Sequence, residues 1–96
     1  MARYVCDFAA VRDIGKKVQK EGEELKNSIN AYSAAIDNDL SGWTGGTAKG
    51  SFESSNKEIV EASLADADYI MALGRFIQTA ADRIEAVENQ LSGLSI

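Results

Sequence analysis

The 96-residue sequence has no histidine, no proline and a single cysteine. Without histidine, the imidazole ligand of most zinc sites is missing, and so is the base of Ser–His and Cys–His nucleophile pairs. Cys6 alone cannot close an internal disulfide. Basic residues are scarce too. Ten Lys and Arg face 15 Asp and Glu, a net charge of −5, which argues against a binder of phosphate backbones. No uncharged apolar run approaches the roughly 18 residues of a membrane span, and Arg3, Asp7, Arg12 and Asp13 interrupt any signal-peptide core. These absences point to a soluble, acidic, single-domain protein. They also point to a non-enzyme, with no catalytic residue, metal, cofactor, nucleic acid or small-molecule substrate to assign.

Two further chemistries fail on spacing. Asp37 and Asp39 lack the glycine turn and following glutamate of a calcium loop. The run from Gly45 to Gly50 lacks the Gly-Lys-Ser/Thr step of a phosphate loop, and no strand pattern precedes it. No pair of carboxylates is set in an apolar context that would serve acid–base catalysis.

What the chain does have is helical periodicity on both sides of one turn. Tyr4, Phe8, Val11, Gly15, Val18, Gly22, Leu25, Ile29, Tyr32 and Ile36 recur at steps of three and four, the spacing of a heptad seam. In the second half the same spacing runs through Phe52, Asn56, Ile59, Ser63, Asp66, Ile70, Leu73, Ile77, Ala80, Ile84, Val87, Leu91 and Leu94, with Ser54, Glu61, Asp68, Arg75, Asp82 and Asn89 outermost. Turn signals gather between residues 40 and 47, where three of the eight glycines lie. The pattern predicts an all-α antiparallel hairpin: a helix over about 3–40, a turn at 41–46 and a helix over about 47–91. Gly42 is expected to stop the first helix, and Thr44 or Thr47 to cap the second. Gly45 and Gly46 are expected at positive φ or in close backbone approach. At the bend, the Trp43 ring would cap the apolar helix ends while its N–H reaches a carbonyl.

The expected register sets Phe52 against Ile36, Ile59 against Ile29, Ile70 against Val18 and Ile77 against Val11, with Gly15 facing Leu73 and Gly22 facing Asp66. Asn56, Ser63 and Asp66 are polar seam positions that would set specificity rather than stability. Val87, Leu91 and Leu94 would run past the end of the first helix, as an apolar tail without a facing helix in its own hairpin.

The second helix carries more apolar surface than one neighbour can cover. Val60, Ala67, Tyr69, Phe76 and Ala81 flank its seam, and they are the expected partner interface. A chain this small without disulfide or metal is marginal alone, so dimerisation into a four-helix bundle is the simplest arrangement that buries the surplus.

Trp43-Thr44-Gly45 between two amphipathic helices, followed by Ala48 and Phe52, resembles the WXG-hundred (ESAT-like) family of type VII secretion. The resemblance implies a helical hairpin that homo- or heterodimerises with another WXG-like hairpin. It also implies export without a cleaved signal peptide, from the cytoplasm, by a dedicated ATPase, often alongside a larger effector or toxin in virulence or interbacterial competition. It marks Trp43 and Gly45 as the turn and secretion motif. The family's export tail has a tyrosine followed four residues later by an acid. Here Ile84 and Glu88 stand at that spacing, so the carboxylate is kept and the ring is not; a partner that supplies the tail would complete it. The alternative is a cytosolic adaptor or chaperone that binds a larger effector through the wide apolar face.

Overall fold

The computed structural model describes residues 7–94; Tyr4 and Cys6 lie outside them. The chain forms two helices, α1 (Phe8–Ser41) and α2 (Thr47–Leu94), laid antiparallel as a hairpin. The molecule measures 77 × 19 × 16 Å, with a radius of gyration of 22.0 Å, against about 13 Å for a compact domain of this length.

Local chemistry sets the ends of both helices. Asp7, not a residue near position 3, starts α1: its carboxylate accepts a hydrogen bond from the Ala10 N–H at 3.0 Å, which satisfies one of the otherwise orphaned first-turn donors. Gly42 closes α1 as expected. Its N–H donates to Asp39 O at 3.3 Å and that of Trp43 to Leu40 O at 3.0 Å, so the last turn tightens to three-residue spacing. Gly45 and Gly46 take φ of +60° and +101°, the positive values that reverse the chain and that glycine adopts without strain. Thr47 is the first residue of α2 rather than its cap. Gly46 precedes it, and the Gly46 carbonyl accepts from Gly50 N–H at 3.4 Å.

The helices meet through small residues. Gly15 lies against Gly74, and Gly22 against Ala67 and Met71. A Cβ on Gly15 would come within 2.8 Å of the Gly74 carbonyl oxygen, and one on Gly22 within 2.8 Å of the Met71 nitrogen. Gly15, Gly22, Ala67, Gly74 and Ala81 are all buried, while the larger side chains of the contact, such as Val18, Ile29, Ile36, Ile70 and Ile77, are only half-buried. Leu40 closes the contact under the turn and is buried.

This contact corrects the expected seam of α2. Asp66 does not face Gly22, and Leu73 does not face Gly15; both are exposed. The facing residues are one position further along, Ala67 and Gly74, and Val60 and Ala81 follow the same line inward. A one-residue step turns an α-helix by about 100°, so α2 rolls its small residues toward α1. The reason is steric: opposite a glycine, another small residue lets two backbones touch, whereas Leu73 would hold them apart. Ile59, Leu73 and Ile84, placed in the seam by their hydrophobicity, are swung out to solvent.

Candidate interaction surface

The roll of α2 gives the hairpin two unlike faces. On one, three residues spaced by seven on α1 make polar contacts to α2. Arg12 donates through Nε to Asp82 Oδ1 at 2.7 Å and through Nη2 to Glu85. Gln78 Nε2 donates to Gln19 Oε1 at 2.9 Å, and Lys26 Nζ to Asp68 Oδ1 at 3.1 Å. These contacts strap the helices together along one side. The hydrogen bond to Asp82, ahead of the attraction of Glu85, raises the Arg12 pKa further above its ordinary value. Asp68 and Asp82 are therefore not outermost on α2. Arg12, Gln19 and Lys26 were not singled out in the sequence, although their common spacing of seven, with Asp68 and Asp82 two heptads apart on α2, was the available signal.

The other face is apolar. Ile14, Val18, Leu25 and Tyr32 share one flank of α1 by helical spacing, and all but Val18 are exposed. On α2 the large exposed apolar residues beyond Phe52 at the turn are Ile59, Tyr69, Leu73, Phe76, Ile84, Val87 and Leu91. The two flanks lie on the same side of the hairpin, for Tyr32 and Ile59 line one small cavity of about 180 Å³ with Ile29 and Val60. The chain exposes 7343 Å² in all, whereas a compact monomer of its mass would expose about 5,400 Å². Much of the hydrophobic surface that would form a core is on the outside.

The five residues expected at a partner interface separate accordingly. Ala67 is 0% and Ala81 2% exposed; both are covered by α1, and Val60 is half-buried against it. They are hairpin-contact residues, a correction with the same cause as the rolled seam. Tyr69 and Phe76, by contrast, are 72% and 67% exposed. Beside Phe76 runs a shallow groove of about 410 Å³, walled by Ala72, Thr79, Ala80 and Ile84 between Arg75 and Arg83.

At the turn, the Trp43 and Phe52 rings pack at 6.2 Å between centroids and 51° between planes, a tilted pairing that aromatic quadrupoles favour. Both rings remain partly exposed. It is the main-chain N–H of Trp43, bonded to Leu40 O, that reaches a carbonyl. Gly45 sits at the reversal beside them. Between the turn and mid-hairpin the helices part around a mixed-charge cleft of about 550 Å³. Asn56 lines this cleft, is buried, and accepts a long hydrogen bond from Tyr32 Oη at 3.4 Å. Asn56 is thus the polar seam residue that does lie in the seam, with Ser63 half-buried beyond it.

In the tail, Ile84, Val87, Glu88 and Leu91 are exposed on α2. Ile84 adjoins Glu85, whose partner Arg12 is already in the second turn of α1, and the other three lie beyond it. Leu94 is the last helical residue, and its side chain lies outside the described residues. No helix among the described residues is long and apolar enough to cross a membrane. Compared with known proteins, the chain matches no family model, no curated protein and no solved structure.

Proposed function

We propose that this chain is a WXG-like helical hairpin that works by pairing with another helical hairpin, as a secreted component or a partner in a type VII (ESX-like) secretion system, without enzymatic activity. The observation that carries the reading is the turn. Trp43 packs on Phe52 at the mouth of a reversal made by Gly45 and Gly46, between two long helices. A tryptophan held half-exposed at such a bend presents a ring face and an indole N–H to a second protein, while its other face braces α2. The apolar face of the hairpin supports the same reading, because it offers a contact surface.

Export tests it. In a host carrying type VII machinery, the chain should accumulate in the culture medium and stop doing so when the export ATPase is deleted. Trp43→Ala and Gly45→Ala should reduce export while circular dichroism still reports a helical hairpin. Presence in the medium independent of the ATPase would overturn the proposal, and so would retention in the cytoplasm alone.

A second reading is favoured by Ile84, which stands where the family's tail has a tyrosine. A hairpin with an incomplete tail serves as a cytosolic adaptor that delivers a larger effector through its apolar face. Retention in the cytoplasm together with stable co-purification of one defined larger protein would support that reading over the first.

A further inference from the structure

The polar strap stops before the turn. Arg12, Gln19 and Lys26 each bond across to α2, but the next residue in that series of sevens is Ser33, whose short side chain makes no such bond among the described residues. Its counterpart on α2, seven before Asp68, is Glu61. Between this pair and the turn the helices part around the cleft of about 550 Å³. We propose that this cleft binds an extended peptide segment of a partner protein, with its main chain against Asn56 and one lysine or arginine side chain toward Asp37. The site lies on the polar side of the hairpin, apart from the apolar face, and the inference depends on neither reading of the function.

Shape selects an extended chain. The α2 residues along the cleft run from Lys49 to Glu61, about 18 Å of helix axis at roughly 1.5 Å per residue. Spread over that length, the volume is a channel roughly 6 Å across, too narrow for the 10–12 Å of an α-helix. It is wide enough for a single extended strand, and about five residues at ~3.3 Å each fill it. Asn56 supplies the main-chain contact. It is only 9% exposed, and its carbonyl oxygen takes the long bond from Tyr32, yet its amide nitrogen donates to no other described residue. No sealed side-chain nitrogen or oxygen lacks a partner among the described residues, so this nitrogen is reached from the cleft. A donor so placed calls for an acceptor, and a peptide carbonyl is one.

Charge selects a basic side chain. On α2, Lys49 pairs with Glu53 at 3.6 Å. Lys57 stands four residues before Glu61, the spacing at which opposite charges attract along a helix. These four charges cancel. Asp37, on the α1 wall, is left over: its helical neighbours Ser33, Ala34, Leu40 and Ser41 include no cation, and among the described residues it forms no ion pair. The cleft thus carries one uncompensated negative charge and one amide donor without an acceptor. A peptide with a single basic residue meets both. A polyamine brings cations but no carbonyl, and an acidic peptide would set like charges together. Leu40 and Val60 give the aliphatic stem of the lysine or arginine an apolar lining.

Nuclear magnetic resonance of the isotope-labelled full chain tests the site with capped pentapeptide pools whose central residue is fixed as lysine, alanine or glutamate. The lysine pool should shift the Asn56 side-chain amide and the Ser33 and Asp37 main-chain signals saturably. It should bind about tenfold more tightly than the alanine pool, the effect of one charge-assisted hydrogen bond, and the glutamate pool should leave the signals unmoved. Asp37→Asn should erase the preference for lysine over alanine, and Asp37→Lys should transfer it to glutamate. Ser33→Lys should extend the strap to Glu61 and fill the cleft, raising the thermal midpoint while abolishing binding. That pairing of outcomes separates loss of the site from loss of the fold. Should Ser33→Lys not fold, Asp37→Asn, at an exposed position, decides alone. Spermidine, a cation without a carbonyl, should bind more weakly than the lysine pool. Signals that no pool moves, equal responses to lysine and glutamate, spermidine binding as tight as the lysine pool, or a folded Ser33→Lys chain that still binds would each overturn the inference. Export and hairpin pairing play no part in these readouts. Failure here leaves the proposed function standing, and a chain that binds the lysine pool but is never secreted leaves the cleft standing.

Discussion

Gly74 rests directly on the backbone of α1. A Cβ at this position would meet Gln19 N and the Gly15 carbonyl oxygen, and would come within 2.8 Å of Gln19 Cα. All three atoms are main-chain and cannot move aside as a side-chain end can. Gly74→Ala is therefore expected to destabilise the hairpin by about 1–3 kcal/mol through overpacking, exceeding the ~1 kcal/mol by which alanine outranks glycine in a helix. Thermal unfolding followed by circular dichroism measures it; a variant as stable as wild type would mean that the helices do not cross here.

Gly50 provides the opposite case. It lies in the first turns of α2, and a Cβ built there meets nothing within 4 Å. Gly50→Ala should raise stability by roughly 0.5–1 kcal/mol, the conformational cost of glycine within a helix. The same unfolding measurement checks it, and a loss of stability would indicate that the space beside Gly50 is filled.

At the turn, Trp43→Ala removes the ring that packs on Phe52. An aromatic pair of this kind contributes about 0.5–1.5 kcal/mol beyond the area it buries, and about 1 kcal/mol shifts the midpoint of a domain this size by roughly 4–8 °C. A fall of several degrees is expected, with Trp43→Phe retaining most of it. If the midpoint is unmoved while export is lost, the ring serves recognition alone and not the brace.

The strap along the polar face is electrostatic. Arg12→Gln removes the contacts to both Asp82 and Glu85, so its unfolding midpoint should fall below that of wild type at low salt. The difference should narrow in 1 M salt, where the screening length shrinks to about 3 Å. A gap that is independent of salt would assign the effect of Arg12 to packing by its aliphatic stem.

Removing residues 88–96 leaves every described cross-helix hydrogen bond and ion pair in place, since Glu85 is the last residue of α2 that makes one to α1. The truncated chain should remain a folded hairpin with a weakened dimer and reduced export. Failure to fold would place the tail in the hairpin's own core; wild-type dimer affinity and export would show that the tail serves neither.

The hairpin itself was legible in the sequence, because the physics that sets it is local. Apolar residues at steps of three and four, no proline to break either run, and glycines gathered between residues 42 and 46 permit only two long helices and a reversal. The positive φ of Gly45 and Gly46 follows from the same reasoning. Two boundaries were read differently: Asp7 caps α1 at a later start, and Gly46 rather than a threonine precedes α2. Both depend on a single side chain or peptide group, which periodicity does not resolve. Leu40 escaped notice as a core residue, although it continues the seam four residues after Ile36.

Which stripe of α2 turns inward was decided only by the tertiary structure. Along that helix two candidate stripes run side by side, a bulky one through Ile59, Leu73 and Ile84 and a small one through Val60, Ala67, Gly74 and Ala81. Hydrophobicity alone selects the first. Close approach selects the second, because Gly15 and Gly22 on α1 allow contact only where α2 is also small, and that complementarity exists only once the helices are laid together. The same choice sends Asp66, Tyr69, Leu73 and Phe76 outward. Composition could state that the chain has more apolar surface than one hairpin can bury; the glycine contact determines which surface is left over.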